Sequence, residues 1–107
     1  MIIEKLKQGE ANFAEVINYI EENYNYTPSA FVNGAQENAV DQNQGSAKVF
    51  AFAQLNNYSK EDTLILFAEH YKAVLSTPEG SDHNNIRQFM KNGWEGIQFE
   101  NEVLSKK

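Results

Sequence analysis

The sequence predicts an α+β fold, a mostly helical single domain over residues 1–107 with four or five helices covering a small two- or three-stranded sheet. Three observations carry that expectation. The stretches 12–23 and 59–77 repeat apolar residues at helical spacing behind a capping residue. An Asn33-Gly34 pair lies between short apolar segments, as a hairpin turn does. Gly96-Ile97-Gln98-Phe99 alternates polar and apolar positions, as a strand does.

Taken in order, Ile2, Ile3 and Leu6 mark a short first helix that Gly9 ends. Asn12-Phe13-Ala14-Glu15 has the form of a capping box, and Phe13, Val16, Ile17, Ile20 and Tyr24 follow at helical spacing, giving a helix over 12–23. Tyr26-Thr27-Pro28 is extended, because a residue before proline is pushed out of the helical region. Ala30-Phe31-Val32 and Asn38-Ala39-Val40 flank the Asn33-Gly34 turn as a short hairpin, although six amide side chains between 33 and 44 also suit a solvated loop. Gly45-Ser46 opens the next element. Val49, Phe50, Phe52, Ala53 and Leu55 suit a strand by residue type and a helix by the serine cap and helical neighbours; we take a short helix. Ser59-Lys60-Glu61-Asp62 starts one longer helix with Leu64, Phe67, Tyr71 and Val74 as its stripe, widened by Leu66, Ala68 and Leu75, central to the core and ending at Thr77-Pro78. The last helix runs over 82–92 with Ile86, Phe89 and Met90 inward. Asp82 caps it, a contribution of about 1 kcal/mol, and Gly93 stops it in a left-handed conformation. The strand at 96–99 then pairs with the hairpin.

Size and charge bound the function. A chain of 107 residues buries roughly two-thirds of its unfolded surface, enough for one core. At 41% hydrophobic residues, with seven phenylalanines and five tyrosines, it folds rather than staying disordered. Having no cysteine, it has no disulfide, thiolate nucleophile or thiolate zinc site. Fifteen acidic against nine basic residues leave a net charge of −6, which repels nucleic-acid phosphates and anionic membranes. The apolar run from Leu64 to Ala68 is far too short to span a bilayer, and the start carries no signal pattern, so cytoplasmic residence is expected. A small anionic ligand or a protein partner remains.

The densest chemistry lies in Ser81-Asp82-His83-Asn84-Asn85-Ile86-Arg87, with the only arginine and one of two histidines at a helix start whose N–H groups are free. We expect Asp82, His83, Asn85 and Arg87 to meet Asn33, Asn43, Ser46 and Lys48 around a polar pocket, with Tyr24, Tyr26 and Trp94 as pocket aromatics or core. His83 and Arg87 lie four apart and share a face. His83 is either packed against a carbonyl or the proton carrier of an enzyme in which Arg87 holds an anionic substrate; Arg87 can equally pair with Asp41 or a glutamate. Asn43 to Lys48 place glycine, serine and lysine where an anion is cradled or where Ser46 simply caps. Glu69, His70 and His83 lack the close spacing of a metal motif, so no metal is expected. No Gly-x-Ser-x-Gly elbow or glycine-rich phosphate loop occurs, and no cofactor is expected.

One segment pattern is shared more widely: Tyr24-x-Tyr26-x-Pro28-x-x-Phe31-x-Asn33-Gly34, then Asn43-x-Gly45-Ser46-x-Lys48-x-Phe50-x-Phe52-Ala53. Thr63-Leu64-x-x-Phe67-x-x-x-Tyr71-x-x-Val74-Leu75-x-x-Pro78-x-Gly80 continues it, and Asp82-His83-x-Asn85-Ile86-Arg87-x-Phe89-Met90-x-x-Gly93-Trp94-x-Gly96-Ile97-x-Phe99 closes it. From Phe13 to Phe99 the chain resembles the HopJ family, bacterial proteins labelled type III effectors. That resemblance implies secretion through a type III system and binding to a host protein for the pathogen members, and carries no catalytic residue over. Residues 1–10 here contain no serine, unlike the serine-rich starts of effectors.

Overall fold

The computed structural model describes residues 2–107. Along them run α1 (Ile2–Lys7), α2 (Phe13–Asn23), β1 (Tyr24–Tyr26), β2 (Phe31–Asn33), β3 (Gln36–Asn38), α3 (Gln44–Leu55), α4 (Lys60–Ile65), α5 (Glu69–Ser76) and α6 (Asn84–Asn92). A 3₁₀ turn (Gly93–Gly96), β4 (Ile97–Phe99) and β5 (Leu104–Lys106) complete the chain. The fold is α+β, with two small antiparallel sheets, β1-β5 and β3-β2-β4.

α2 begins where extended Asn12 accepts the Glu15 N–H at 3.0 Å. It buries Val16 and Ile20 and runs directly into β1 at Tyr24. In the three-stranded sheet Phe31 of β2 stands between Asn38 of β3 and Phe99 of β4. The hairpin turn needs glycine at 34, where φ is +59°. The Gly34 N–H donates to the Gly96 carbonyl at 2.9 Å, and a Cβ on Gly96 would sit 3.0 Å from that same nitrogen. Close backbone approach therefore fixes both glycines.

α3 is a helix, and its burial explains its ambiguous pattern: Ala47, Val49, Phe50, Ala51, Phe52 and Ala53 are all buried, so neither period of two nor of 3.6 stands out. It starts at Gln44 behind Asn43, which is left-handed at φ 52° and makes no side-chain cap. Ser46 thus falls inside the first turn and does not cap, contrary to the sequence expectation.

The expected single helix over 59–77 is two. Ser59 caps α4 by accepting the Asp62 N–H at 3.1 Å. The helix stops at Ile65, and Ala68 adopts φ 52°, ψ −122° before α5 begins, so six helices form among the described residues where four or five were expected. Tertiary contacts override the local pattern here. The break buries Phe67 and lets the Glu69 carboxylate accept the Phe13 N–H at the start of α2, 2.8 Å away. Such a backbone costs a non-glycine residue about 1–3 kcal/mol. Ala68→Gly should therefore raise stability by about 1 kcal/mol in urea denaturation, whereas alanine to glycine inside an ordinary helix loses about that much. A loss of that size at 68 would mean the break carries no strain.

The four most deeply buried phenylalanines, Phe31, Phe50, Phe67 and Phe89, form the middle of the core. Trp94 packs edge-on against Phe89 at 4.9 Å and donates its indole N–H to the Tyr58 carbonyl at 3.2 Å. No helix among the described residues is long and apolar enough to cross a membrane.

Candidate functional site

The opening of α6 is organised differently from a capped helix. His83 occupies the cap position in a left-handed conformation, φ 51° and ψ 44°, and no side chain caps the turn. Asp82 is not the cap, correcting the sequence reading, because Arg87 takes its side chain. Nη2 of Arg87 lies 2.6 Å from Asp82 Oδ1, and its Nε donates to the Asp82 carbonyl at 2.6 Å. Nη1 donates to the Thr77 carbonyl at 2.7 Å and Nη2 to Thr77 Oγ1 at 3.2 Å. The guanidinium thus ties the α5–α6 connection together from within, and it borders an apolar groove with Val74, Pro78 and Met90.

The hydrogen bond from Arg87, ahead of its charge and that of His83, holds the Asp82 carboxyl below its usual 3.8, even against some desolvation. The Glu69 carboxyl is also lowered: burial works against its ionisation, but the N–H groups of Phe13 and Glu69 itself, with His70 and Lys72, outweigh it. A lowered folded pKa stabilises the fold above the unfolded value and loses that contribution as pH falls through the folded one. For Glu69 the loss begins below about 4.5. Glu69→Gln should accordingly flatten the acid limb of stability against pH. An unchanged limb would remove the carboxylate from the account.

Beneath the His83 turn lies a network of buried amides. Asn33 Nδ2 donates to the Asn85 carbonyl at 2.7 Å and to Asn85 Oδ1 at 3.0 Å. Asn85 and Asn38 exchange two bonds, at 3.0 and 3.2 Å. Asn43 Nδ2 then donates to Asn38 Oδ1 at 2.7 Å. These bonds fasten the hairpin, the start of α3 and the start of α6 to one another.

Above that network is a cavity of about 320 Å³. Phe13 and Phe67 form its apolar side, with their rings stacked at 6.0 Å. His70 and His83 form another side, their ring centroids 4.9 Å apart and their planes tilted by 36°. The Phe13 ring meets His70 edge-on at 4.7 Å. Gly45 and Ser46 from the first turn of α3 and Asn84 and Asn85 from the first turn of α6 close it, with Asn43 and Gln36 at the rim. N–H groups in an opening helical turn have no carbonyl within the helix to bond. Apart from the two imidazoles, no ionisable side chain among the described residues lines this space.

Of the expected site residues, His83, Asn85, Asn43 and Ser46 border the cavity, and Asn33 supports Asn85 from below. Asp82 stands beside it, with Oδ2 4.0 Å from His83 Nε2. Arg87 and Lys48 are directed elsewhere: Arg87 to Thr77 and Asp82, Lys48 to Glu21 at 2.8 Å and over the Tyr26 ring at 4.3 Å. Tyr26 donates its hydroxyl to Gln44 Oε1 at 2.7 Å, Tyr24 accepts from Asn56 Nδ2 at 3.1 Å, and Trp94 belongs to the core. Sequence reasoning did not place His70, Phe13, Phe67, Gln36 or Asn84 there. Only tertiary contact joins His70 to His83, and no local spacing announces it.

The chain matches the family model described as HopJ type III effector protein over residues 1–104. Among solved structures it is similar to one titled "Crystal structure of unknown function protein VPA0580", with 45% identity and a TM-score of 0.92. That match covers 99% of this chain and 91% of the other. No curated protein matches it.

Proposed function

We propose that this chain, which belongs to the HopJ type III effector protein family, is a binding module that takes a small polar ligand carrying anionic or carbonyl oxygens into the cavity between the starts of α3 and α6. One observation carries this reading: two opening helical turns and the only two histidines meet at a single cavity that no carboxylate among the described residues lines. Opening-turn N–H groups favour oxygen acceptors, and the Phe13–Phe67 side accommodates an apolar portion of the ligand. The binding role falls to Ser46, His70, His83 and Asn84, whereas Arg87 positions the α5–α6 connection.

Thermal shift with inorganic phosphate and short-chain carboxylates tests it. Ligand at 100 times its Kd adds about 2.7 kcal/mol of stability. The shift should vanish in Ser46→Leu, which fills the cavity, and persist in Arg87→Ala if that variant stays folded. Loss in Arg87→Ala with retention in Ser46→Leu would overturn the assignment and favour an anion holder at Arg87. So would a folded wild-type protein whose His70 and His83 resonances stay fixed throughout the titrations.

The family description favours a second reading, export through a type III system to meet a host protein. Deleting residues 1–9 should then abolish export from a secreting strain. Export that survives the deletion counts against an N-terminal signal.

A further inference from the structure

We propose that His70 and His83 together chelate one divalent transition-metal ion of the zinc, nickel or copper class at the mouth of the cavity. The inference stands on the imidazole pair alone and not on the organic ligand proposed above. Sequence spacing conceals the pair, since twelve residues, the rest of α5 and the α5–α6 connection among them, separate the two histidines.

The geometry suits a shared ion. A metal–nitrogen distance of about 2.0–2.1 Å puts each ring centre about 3.2 Å from the metal, so two imidazoles on one ion have centroids about 4.6 Å apart at a right angle and about 5.2 Å apart at a tetrahedral angle. The observed separation of 4.9 Å falls between those values. The Phe13 ring packs edge-on with His70, and His83 sits on the left-handed residue that opens α6, its ring against that of His70.

Carboxylates stand near the pair, although none among the described residues lines the cavity. Asp82 Oδ2 lies 4.0 Å from His83 Nε2, beyond direct hydrogen-bond reach, while Arg87 holds the other carboxylate oxygen. Glu69 neighbours His70 in the chain, and its carboxylate accepts the Phe13 N–H. No lysine or arginine among the described residues lines the cavity, and the chain as a whole carries −6. Imidazole nitrogen selects zinc, nickel or copper over magnesium or calcium. With two protein ligands, the remaining coordination positions are left to water or to a ligand oxygen.

Calorimetric titration of the full chain with Zn²⁺ or Ni²⁺ alone tests the proposal. One equivalent should bind, and Mg²⁺ should not. His83→Asn, which tolerates the left-handed backbone, and His70→Gln should each weaken binding at least tenfold, and the double variant should abolish it. Should the variants misfold, line broadening of the wild-type His70 and His83 ring signals by substoichiometric Ni²⁺ gives the answer independently. No heat in the wild type, unchanged affinity in both folded single variants, or broadening that spares both rings would overturn it. Failure here leaves the phosphate and carboxylate shifts unaffected, and failure of those shifts leaves the metal heats intact.

Discussion

Replacing Phe50 with alanine is expected to cost about 4 kcal/mol, a large part of the stability of a domain this size. Phe50 is fully buried on α3, with ring centroids of Phe89 at 4.9 Å, Phe67 at 5.3 Å, Trp94 at 6.3 Å and Phe31 at 6.4 Å. Those four neighbours come from α6, the α4–α5 break, the 3₁₀ turn and β2, so no single element can shift to refill the space. Leu55→Ala on the same helix is the control. Leu55 is 52% exposed, and its loss should stay within about 0.5 kcal/mol. Urea denaturation of both variants checks this, and a cost below about 1.5 kcal/mol for Phe50→Ala would move the centre of the core elsewhere. Because Phe67 also lines the cavity, the same variant should weaken ligand binding through a loosened wall.

The helices with one apolar face were legible. α2 and α6 show their stripes because each rests one side on the core, and Asn12 announces its cap by residue type. α3 was ambiguous for the opposite reason: burial on nearly every side erases periodicity, and only length and context favour a helix. The break at Ala68 left no trace, since leucine, phenylalanine and alanine are good residues for a continuous helix. What divides that helix is the Glu69 bond to the start of α2 and the burial of Phe67, both long-range. β1 and β5 pair across most of the chain, Tyr24 opposite Lys106, and three-residue strands carry too little pattern to be seen in advance.

The site was half legible. A helix start rich in polar residues pointed to His83 and Asn85, and the amide-rich connector pointed to Asn33 and Asn43. Both segments do meet, through the bonds around Asn85. Arg87 misled because charge suggests recognition, whereas a guanidinium with four donors already placed on Thr77 and Asp82 has structural work. The sequence groups His70 with His83 only as metal ligands of the wrong spacing, because thirteen positions part them and the fold alone brings their rings together.

Asn85→Asp should be the most damaging change near the site, costing about 3–5 kcal/mol at pH 7 although it barely alters shape. Asn85 is 6% exposed, donates to Asn38 Oδ1 and accepts from Asn33 and Asn38 through its own oxygen. An aspartate keeps the acceptor, loses the donor, and sets a buried negative charge against Asn38 Oδ1. Asn85→Ala instead leaves Asn33 its bond to the backbone carbonyl of residue 85 and leaves Asn38 its contacts with Phe31 and Gln36, so about 2 kcal/mol suffices for it. The two variants should also differ in their response to acid. Burial raises a carboxyl pKa, so the introduced carboxyl prefers its proton more in the folded Asn85→Asp variant than in the unfolded chain, and stability recovers as pH falls through that raised value. The Asp penalty should therefore shrink toward the Ala penalty between pH 7 and 4.5, when both are followed by denaturant unfolding at each pH. Equal costs at pH 7, or a gap that ignores pH, would show that water reaches this network and that the amides do not hold the two helix starts together.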